Sequence, residues 1–282
     1  MAPEDVMAVV VSYNGGPLIE RTVHALLGQV GHVAIVDNGS EPDSVEVLRV
    51  LERGERVSVT KLDSNRGVGY ALNIGIQLAK ERGYSWVLTM DQDSLIDASM
   101  VRAYQLALNK YPDMVSLSPR RSAPAAASAS VSVVDYAITS GNMVHMSVFD
   151  CIGLFDEELF IDCVDFDFCL RVRRAGYLIH RVSAATMQHA LGEPIIIGDF
   201  LGKFYARHAP VRRYYMFRNY LYLAERYLLR FPLFIMKLGA AQLILFALIG
   251  FFDTSPLKSY RAAARGVYDY LRRKRGPCPM GG

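Results

Sequence analysis

Cysteine is scarce in this sequence, and its few positions predict neither a disulfide framework nor a zinc finger. The 282 residues include four cysteines, with no CxxC pair and no finger-like spacing. They are Cys151, Cys163, Cys169 and Cys278. Small secreted domains held by disulfides are therefore excluded, and we expect free thiols in a reducing cytoplasm.

Net charge is also small, at +3, which is too little to predict binding to nucleic acid. The basic residues are nevertheless uneven, because Arg207–Arg230 and the "LRRKR" run Leu271–Arg275 are rich in arginine. A composition that is 51% hydrophobic and 21% charged is typical of a globular chain and argues against extensive disorder. The sequence thus predicts a folded protein with a basic C-terminal part.

Only one apolar run approaches the length of a membrane span, the segment "FPLFIMKLGAAQLILFALIGFF" at Phe231–Phe252. It fits a helix that lies on or dips into a membrane, a buried helix or homodimer interface, or a true span. Arg and Lys on both flanks suit an anionic cytoplasmic leaflet. We therefore expect a catalytic domain over residues 1–209 and a basic, aromatic and apolar helical region over 210–282 that associates with a membrane.

Short apolar runs alternate with amphipathic stretches in the first half of the chain. The runs rich in Val and Ile predict buried strands at Val6–Ser12, Val33–Asp37, Val57–Leu62 and Trp86–Met90. Helical patterns follow Ser40, which is predicted to be an N-cap, and cover Val68–Lys80. The small-residue stretch Ser122–Ser132 predicts a loop. Strand and helix alternation indicates an α/β fold with a mostly parallel sheet flanked by helices.

Polar residues follow three of these strands, in "SYNGG" (Ser12–Gly16), "DNGS" (Asp37–Ser40) and "DQD" (Asp91–Asp93). A single polar strand end is often only a surface turn. Three together predict a ligand site, since ligands bind beyond the carboxyl ends of strands in such sheets. Two carboxylates one residue apart repel each other, so either both face water or a cation compensates their charge.

A second acidic cluster lies in "DEELFIDCVDFDFCLRVRRAG", where Asp162, Asp165 and Asp167 stand among apolar residues. A helix that starts here would be stabilised by acids in its first turn, which is a purely structural explanation. If the helix includes both Asp162 and Asp165, their spacing of three places them on one face. Alternatively, a carboxylate among phenylalanines has a raised pKa and acts as a general base.

The order and spacing of these motifs resemble glycosyltransferase family 2 enzymes of the GT-A fold. The matching pieces, over about Val6–Asn219, are "VVVSYN", "IVDNGS", "NRGVGYALNIG", "TMDQDS", "TSGN" and "GLFDEELFIDCVDFDFCLRVRRAGY". Within the family they are most similar to bacterial rhamnosyltransferases. The resemblance implies inverting transfer from a nucleotide sugar, dTDP-L-rhamnose, to a saccharide or lipid-linked acceptor. It places the reaction in polysaccharide or O-antigen synthesis, at the inner face of the bacterial cell membrane.

The resemblance also implies roles for the acidic residues. Asp93, with Asp91, corresponds to the family's DxD element, which binds Mg²⁺ or Mn²⁺. Asp165 takes the position of the general base, although the residue before it is Val164 where many relatives have Glu. Family members often place a metal-binding histidine about 24 residues after the base, and His189 stands at that spacing.

The nucleotide would lie on the earlier motifs. By resemblance, the residues that line its base, ribose and diphosphate are Tyr13, Asn14, Asp37, Asn65, Gly67, Asn73 and Asp91. Many relatives have Arg where Leu72 stands, so another basic residue would have to contact the phosphates. The candidates are Arg66, Arg212, Arg213 and Arg218. Alternatively, the last three belong to a basic helix that faces the membrane. Thr139–Asn142 would frame the sugar.

Other functions remain open at this point. A different nucleotide-hexose donor would fit the same motifs. A phosphatase or phosphotransferase would use Asp91 of "DQD" as its nucleophile, although in the commonest such enzymes the motif follows the first strand. A catalytically silent membrane scaffold is a third alternative, against which the four residues Asp91, Asp93, Asp165 and His189 argue.

Overall fold

The structure, a computed structural model, describes residues 1–121, 130–189, 194–197, 203–206 and 208–279. It divides the chain into two compact units. The first comprises Met1–Asp156 and Asp165–Ala190, and the second comprises Glu157–Val164 and Leu191–Gly282. The second unit therefore contains a short segment from the middle of the sequence, and the boundary expected after residue 209 lies inside that unit.

The first unit is built on a nine-stranded sheet in the order β3-β2-β1-β4-β8-β6-β9-β5, with β7 paired to β9. Its strands are β1 (Val6–Ser12), β2 (His32–Asp37), β3 (Val57–Lys61), β4 (Trp86–Asp91), β5 (Ser94–Ile96), β6 (Ser116–Arg121), β7 (Val131–Val134), β8 (Asn142–His145) and β9 (Ile179–His189). Its helices are α1 (Leu18–Leu27), α2 (Pro42–Leu51), α3 (Val68–Glu81), α4 (Met100–Lys110), α5 (Met146–Ile152) and α6 (Val164–Arg174).

The parallel half of the sheet confirms the four strands predicted from the sequence. Strands β3, β2, β1 and β4 pair in parallel, and each agrees with its prediction to within one residue at either end. Their Val and Ile side chains form the core of the unit, as expected for strands covered on both faces. The register aligns Ser12 with Asp37 and Val11 with Asp91. The polar strand ends therefore meet at one edge of the sheet.

Helix α3 confirms the predicted amphipathic helix and packs closely on β1. Ala71, Leu72, Ile76 and Ala79 of its predicted inner face are buried. A Cβ atom at Gly75 would collide with the side chain of Val9. Glycine at this position thus allows the helix to approach the strand that carries the "SYNGG" loop.

Two local predictions were wrong. Ser40 does not cap α2, whose N-cap is Glu41 without a side-chain hydrogen bond, because the Ser40 hydroxyl is engaged within its own loop. The loop or insert predicted over Ser122–Ser132 does not include its last two residues, since Val131 and Ser132 belong to β7 and pair with β9. The remainder of that stretch, residues 122–129, lies outside the described residues.

Among the described residues, the second unit contains three helices and one pair of antiparallel strands. The helices are α7 (Pro210–Tyr227), α8 (Pro232–Phe252) and α9 (Pro256–Leu271), and the strands are β10 (Pro194–Ile197) and β11 (Lys203–Ala206). Proline stands in the first turn of each helix, where its missing N–H costs nothing. A Cβ atom at Gly266 of α9 would collide with the Tyr214 carbonyl of α7, so these two helices are in close contact.

Candidate active site

Gln92, which lies between the two carboxylates of "DQD", forms hydrogen bonds to the "SYNGG" loop. The Gln92 Oε1 atom accepts a hydrogen bond from the Tyr13 N–H (2.8 Å), and its Nε2 donates to the Tyr13 carbonyl (3.0 Å). Gly15 is needed beside this clamp, because a Cβ atom there would collide with the Gln92 side chain. The ends of β1 and β4 are therefore held in a fixed relation.

The next contact runs from Asn14 to the loop after β2. Asn14 has a φ of +50°, a left-handed conformation that asparagine tolerates better than most residues. Its N–H donates to Ser40 Oγ (2.8 Å), and its Oδ1 accepts from the Glu41 N–H (2.9 Å). The Ser40 hydroxyl in turn donates to the Asp37 carboxylate, which is buried. The loop thus fixes the orientation of Asp37.

A third group of contacts joins the loop after β2 to the start of α3. Asn38 Nδ2 donates to Asn65 Oδ1 (3.1 Å), and Asn38 Oδ1 accepts from the Arg66 N–H (2.9 Å). Asn65 Oδ1 also accepts from the N–H of Gly67, whose φ is +89°. Together with the Gln92 and Asn14 contacts, these bonds form a continuous chain along the carboxyl edge of the sheet. We call the residues joined by these contacts the rim network: Tyr13, Asn14, Asp37, Asn38, Ser40, Glu41, Asn65, Arg66, Gly67 and Gln92.

Asp93 and His189 approach each other through the sheet. Ser94, the residue after Asp93, lies opposite His189 in the antiparallel pair of β5 and β9. The backbone of His189 is thereby brought next to "DQD", although its side chain lies outside the described residues. In the described part of the chain, the Asp93 carboxylate has no hydrogen bond or ion pair, and no three His, Cys, Asp or Glu side chains form a metal-binding group. Two carboxylates are oxygen ligands of the kind that Mg²⁺ and Mn²⁺ prefer.

Asp165 lies in the first turn of α6, as predicted for an acid at a helix N-terminus. The shared face predicted for Asp162 and Asp165 is wrong. Helix α6 begins at Val164, and Asp162 precedes it with a φ of +60°. The two acids are thus separated by a left-handed backbone, and only Asp165 belongs to the helix.

Residues 136–142 contact both the Asp165 helix and the "DQD" strand. At one end, the Tyr136 ring packs edge-on against Phe166 (centroids 5.0 Å apart), and Ala137 exchanges hydrogen bonds with the Cys169 thiol. Burial raises the pKa of Cys169 to about 12, so this thiol stays protonated and able to donate. At the other end, Ser140 Oγ accepts from the Asp91 N–H (3.3 Å). This segment, which includes "TSGN", therefore connects the two acidic motifs.

Several residues predicted to contact the donor have other partners. Asn73 is buried, and its amide binds both the N–H (2.9 Å) and the carbonyl (3.0 Å) of Phe155. Arg212 pairs with Asp162 (3.1 Å), and the fully buried Arg213 pairs with Asp253 (2.8 Å). Burial raises the pKa of Asp162, and the positive charge of the neighbouring Arg212 partly lowers it again. The roles predicted for Asn73, Arg212 and Arg213 toward the donor rest on the resemblance alone.

Sequence reasoning gave no role in the site to Asn38, Ser40 and Gln92, whose side chains hold the rim network together. Asparagine and serine directly after a strand are turn formers, which is a signal for Asn38 and Ser40. The sequence carries no comparable signal for Gln92, because its partner Tyr13 lies 79 positions away.

Comparison with known proteins agrees with this architecture. Residues 7–127 match the family described as Glycosyl transferase family 2. Over this stretch, the chain is similar to family 2 glycosyltransferases. The chain is 29% identical over 239 residues to the dTDP-rhamnosyl transferase RfbF of Shigella flexneri, covering 76% of this chain and 78% of that protein. It is 35% identical over 101 residues to the succinoglycan biosynthesis protein ExoO of Rhizobium meliloti, and spans 28% of that protein.

Solved structures share the fold of this chain at low sequence identity. The S. aureus TarS 1-349 complex with UDP-GlcNAc is 14% identical with a TM-score of 0.54, over 97% of this chain and 74% of that one. GalNAc-T7 with UDP, GalNAc and Mn²⁺ is 14% identical with a TM-score of 0.57, over 65% of this chain and 43% of that one. The predicted GT-A fold, a sheet flanked by helices with a C-terminal apolar helix, is confirmed. The sheet is mixed rather than mostly parallel, because β5, β7 and β8 pair with their neighbours in the antiparallel sense.

Proposed function

We propose that the protein is an inverting, metal-dependent glycosyltransferase that moves a sugar from a nucleotide sugar to a hydroxyl group. The observation that carries this proposal is the rim network. It joins the loops after β1, β2 and β3 to the "DQD" motif after β4, at the edge where such sheets bind ligands. A nucleoside diphosphate needs such a preformed polar surface beside carboxylates able to hold a cation.

The proposed donor is dTDP-L-rhamnose, and the proposed acceptor is a saccharide, lipid-linked, in polysaccharide or O-antigen synthesis. The alignment with the dTDP-rhamnosyl transferase of Shigella flexneri supports this choice. It covers 239 residues, whereas the family match ends at residue 127. Sequence similarity therefore extends into the region of Asp165 and beyond, where acceptor and sugar would bind.

Each element of the site has a proposed part. The base, ribose and diphosphate would contact Tyr13, Asn14, Asp37, Asn65, Gly67 and Asp91. Asp91 and Asp93, with His189, would hold Mg²⁺ or Mn²⁺, which when bound neutralises charge on the departing diphosphate. Asp165 takes the proton from the acceptor hydroxyl as its oxygen bonds to the anomeric carbon. The bond from that carbon to the diphosphate oxygen breaks on the opposite face, so the configuration inverts without a covalent sugar–enzyme intermediate.

A thermal-shift panel of nucleotide sugars tests donor and metal together. At about 100 times its Kd, a ligand stabilises the folded state by about 2.7 kcal/mol, which raises Tm by roughly 5 °C in a chain of this size. We expect that shift with dTDP-L-rhamnose plus Mg²⁺ or Mn²⁺, and a much smaller one when EDTA replaces the metal. UDP-GlcNAc and GDP-mannose serve as competing donors. A shift with one of them and none with dTDP-L-rhamnose would reject the rhamnose assignment.

We further propose that helix α8 binds the inner face of the cell membrane. By length and composition it could cross a bilayer, with a mean hydropathy of 2.1 and 17% of the apolar stretch buried. Its exposed side chains include Leu233, Leu243 and Phe251, at 73%, 72% and 81% exposure. A large exposed apolar surface flanked by basic residues is typical of a membrane-binding helix.

Vesicle flotation checks this proposal. The full-length protein should float with vesicles that contain phosphatidylglycerol, and the pair Leu243→Glu and Phe251→Glu should reduce flotation by about 10-fold or more, since charge is costly in hydrocarbon. Leu106→Glu, at a residue of α4 that is 59% exposed, is the control and should float normally. Unchanged flotation of the double variant, with a loss of dimers in gel filtration, would assign α8 to a homodimer interface instead.

A further inference from the structure

The segment just before Asp165 has an unusual backbone. Phe160, Asp162 and Cys163 have φ values of +67°, +60° and +64°, a left-handed conformation that non-glycine residues rarely adopt. Such residues persist only where the surroundings hold them in place, and they are concentrated at functional sites. Val164 and Asp165 follow at once and begin α6. We call residues Glu157–Cys163 the entry loop.

A single side chain of α7 binds the main chain of the entry loop at three points. Asn219 Nδ2 lies 2.8 Å from the Leu159 carbonyl oxygen, 2.7 Å from that of Ile161 and 3.0 Å from that of Asp162. Asn219 is fully buried, and its Oδ1 accepts a hydrogen bond from Arg218 Nε (2.9 Å). Both ends of the amide are thus engaged, and the three carbonyls share one donor group.

The same helix contacts the entry loop through neighbouring residues. Arg218 is fully buried and donates to the carbonyls of Glu158 (3.2 Å) and Leu159 (3.3 Å). The Tyr215 ring stacks on Phe160, with centroids 5.0 Å apart and planes inclined by 10°. Arg212 pairs with the Asp162 carboxylate (3.1 Å). Helix α7 therefore determines the conformation of the loop that leads into the Asp165 helix.

We propose that Asn219 is a positioning residue for the transfer reaction: it holds the left-handed entry loop, which runs directly into Val164 and Asp165 in the first turn of α6. This inference rests on the proposed function, in which Asp165 is the general base. A base must lie within hydrogen-bond reach of the hydroxyl it deprotonates, and a misplacement of about 1 Å can cost about 10²-fold in rate. Arg212, Tyr215 and Arg218 of α7 contact this loop, and the donor contacts predicted for the arginines stay a prediction.

Asn219→Asp is the sharpest test, because it keeps the side-chain size and an oxygen for Arg218 but removes the donor shared by the three carbonyls. With the full-length protein, a nucleotide sugar that binds in the thermal-shift panel, Mg²⁺ and a panel of octyl glycosides as acceptors, release of nucleoside diphosphate gives kcat. We expect kcat to fall by about 10- to 100-fold while the donor Kd changes less than about twofold. Tyr222→Phe, which removes a hydrogen bond from α7 to Lys274 and none to the entry loop, is the matched control.

A double-mutant cycle separates positioning from general damage. If Asn219 acts through Asp165, then Asn219→Asp should add little to the loss already caused by Asp165→Asn, because the two changes disable one function. Wild-type kcat in Asn219→Asp, losses that multiply in the double variant, or parallel losses of kcat and donor affinity would each overturn the proposal. Near wild-type turnover of Asp165→Asn alone would instead reject the base assignment in the proposed function.

A second variant keeps the test valid should Asn219→Asp fold poorly. Tyr215→Leu removes the ring stacked on Phe160 and leaves the Asn219 amide and its three carbonyl partners in place. We expect kcat to fall less than in Asn219→Asp, and the donor Kd to stay unchanged. A proportional loss of kcat, donor binding and folded fraction would mean that α7 serves stability alone.

Discussion

Replacing Asp165 by Asn should lower kcat by about 10³-fold and leave binding of the nucleotide sugar intact. General acid–base catalysis contributes about 10²- to 10⁴-fold, and the amide of asparagine cannot accept the acceptor's proton. The side chain has nearly the same size, and Asp165 lies in the first turn of α6, so the helix should form as before. Turnover is measured as nucleoside diphosphate released, and donor affinity as the thermal shift with and without metal.

Asp150→Asn is the control for this change. Asp150 belongs to α5 in the same unit, and its side chain is 50% exposed in an ion pair with Lys80, so the substitution should change kcat less than about twofold. An unchanged kcat in Asp165→Asn would show that another group takes the proton. Loss of donor binding together with kcat would mean that Asp165 contacts the donor instead.

Replacing Asp93 by Asn should remove the metal-dependent part of donor binding and lower kcat by about 10²- to 10³-fold. A divalent cation contributes several kcal/mol to the stabilisation of developing phosphate charge, and each 1.36 kcal/mol corresponds to a factor of ten in rate. In the described part of the chain the Asp93 carboxylate has no hydrogen bond or ion pair to lose. The variant should therefore keep the Tm of the wild type when no ligand is present.

The measurement compares donor-induced thermal shifts in Mg²⁺ and in EDTA. In the wild type the two should differ, whereas in Asp93→Asn the shift in Mg²⁺ should fall to the value seen in EDTA. Asp113→Asn, at an exposed loop carboxylate before β6, should behave as the wild type. A full Mg²⁺-dependent shift in Asp93→Asn would exclude this residue as a metal ligand.

The parallel strands could be predicted because their physical signal is local. A strand buried on both faces must be apolar over its whole length, and runs such as Val6–Ser12 show that directly in the sequence. Helix boundaries were predicted less accurately than the strands. Ser40 has the residue type of an N-cap, but its hydroxyl is committed to Asp37 and Asn14, which only the folded loop brings together.

The sequence predicted the motifs of the candidate site but not the hydrogen bonds that connect them. Motif order and resemblance predicted "DQD", "DNGS" and Asp165 as site residues. The contacts of Asn73, Arg213 and Arg218 could not be foreseen, because a buried amide or guanidinium is chosen by partners far away in sequence. The same types of residue at an exposed surface would have been free to bind phosphate.

The sequence by itself determined the class of protein and the residues capable of chemistry, since strand periodicity, carboxylate spacing and motif order are properties of the linear chain. Only the tertiary structure decided which other residues contact those residues and hold them in place. Gln92 meets Tyr13 across 79 positions, His189 pairs in register beside "DQD", and Asn219 binds carbonyls about 60 positions earlier. Hydrogen bonds between distant segments depend on packing and register, so residue type alone does not reveal them.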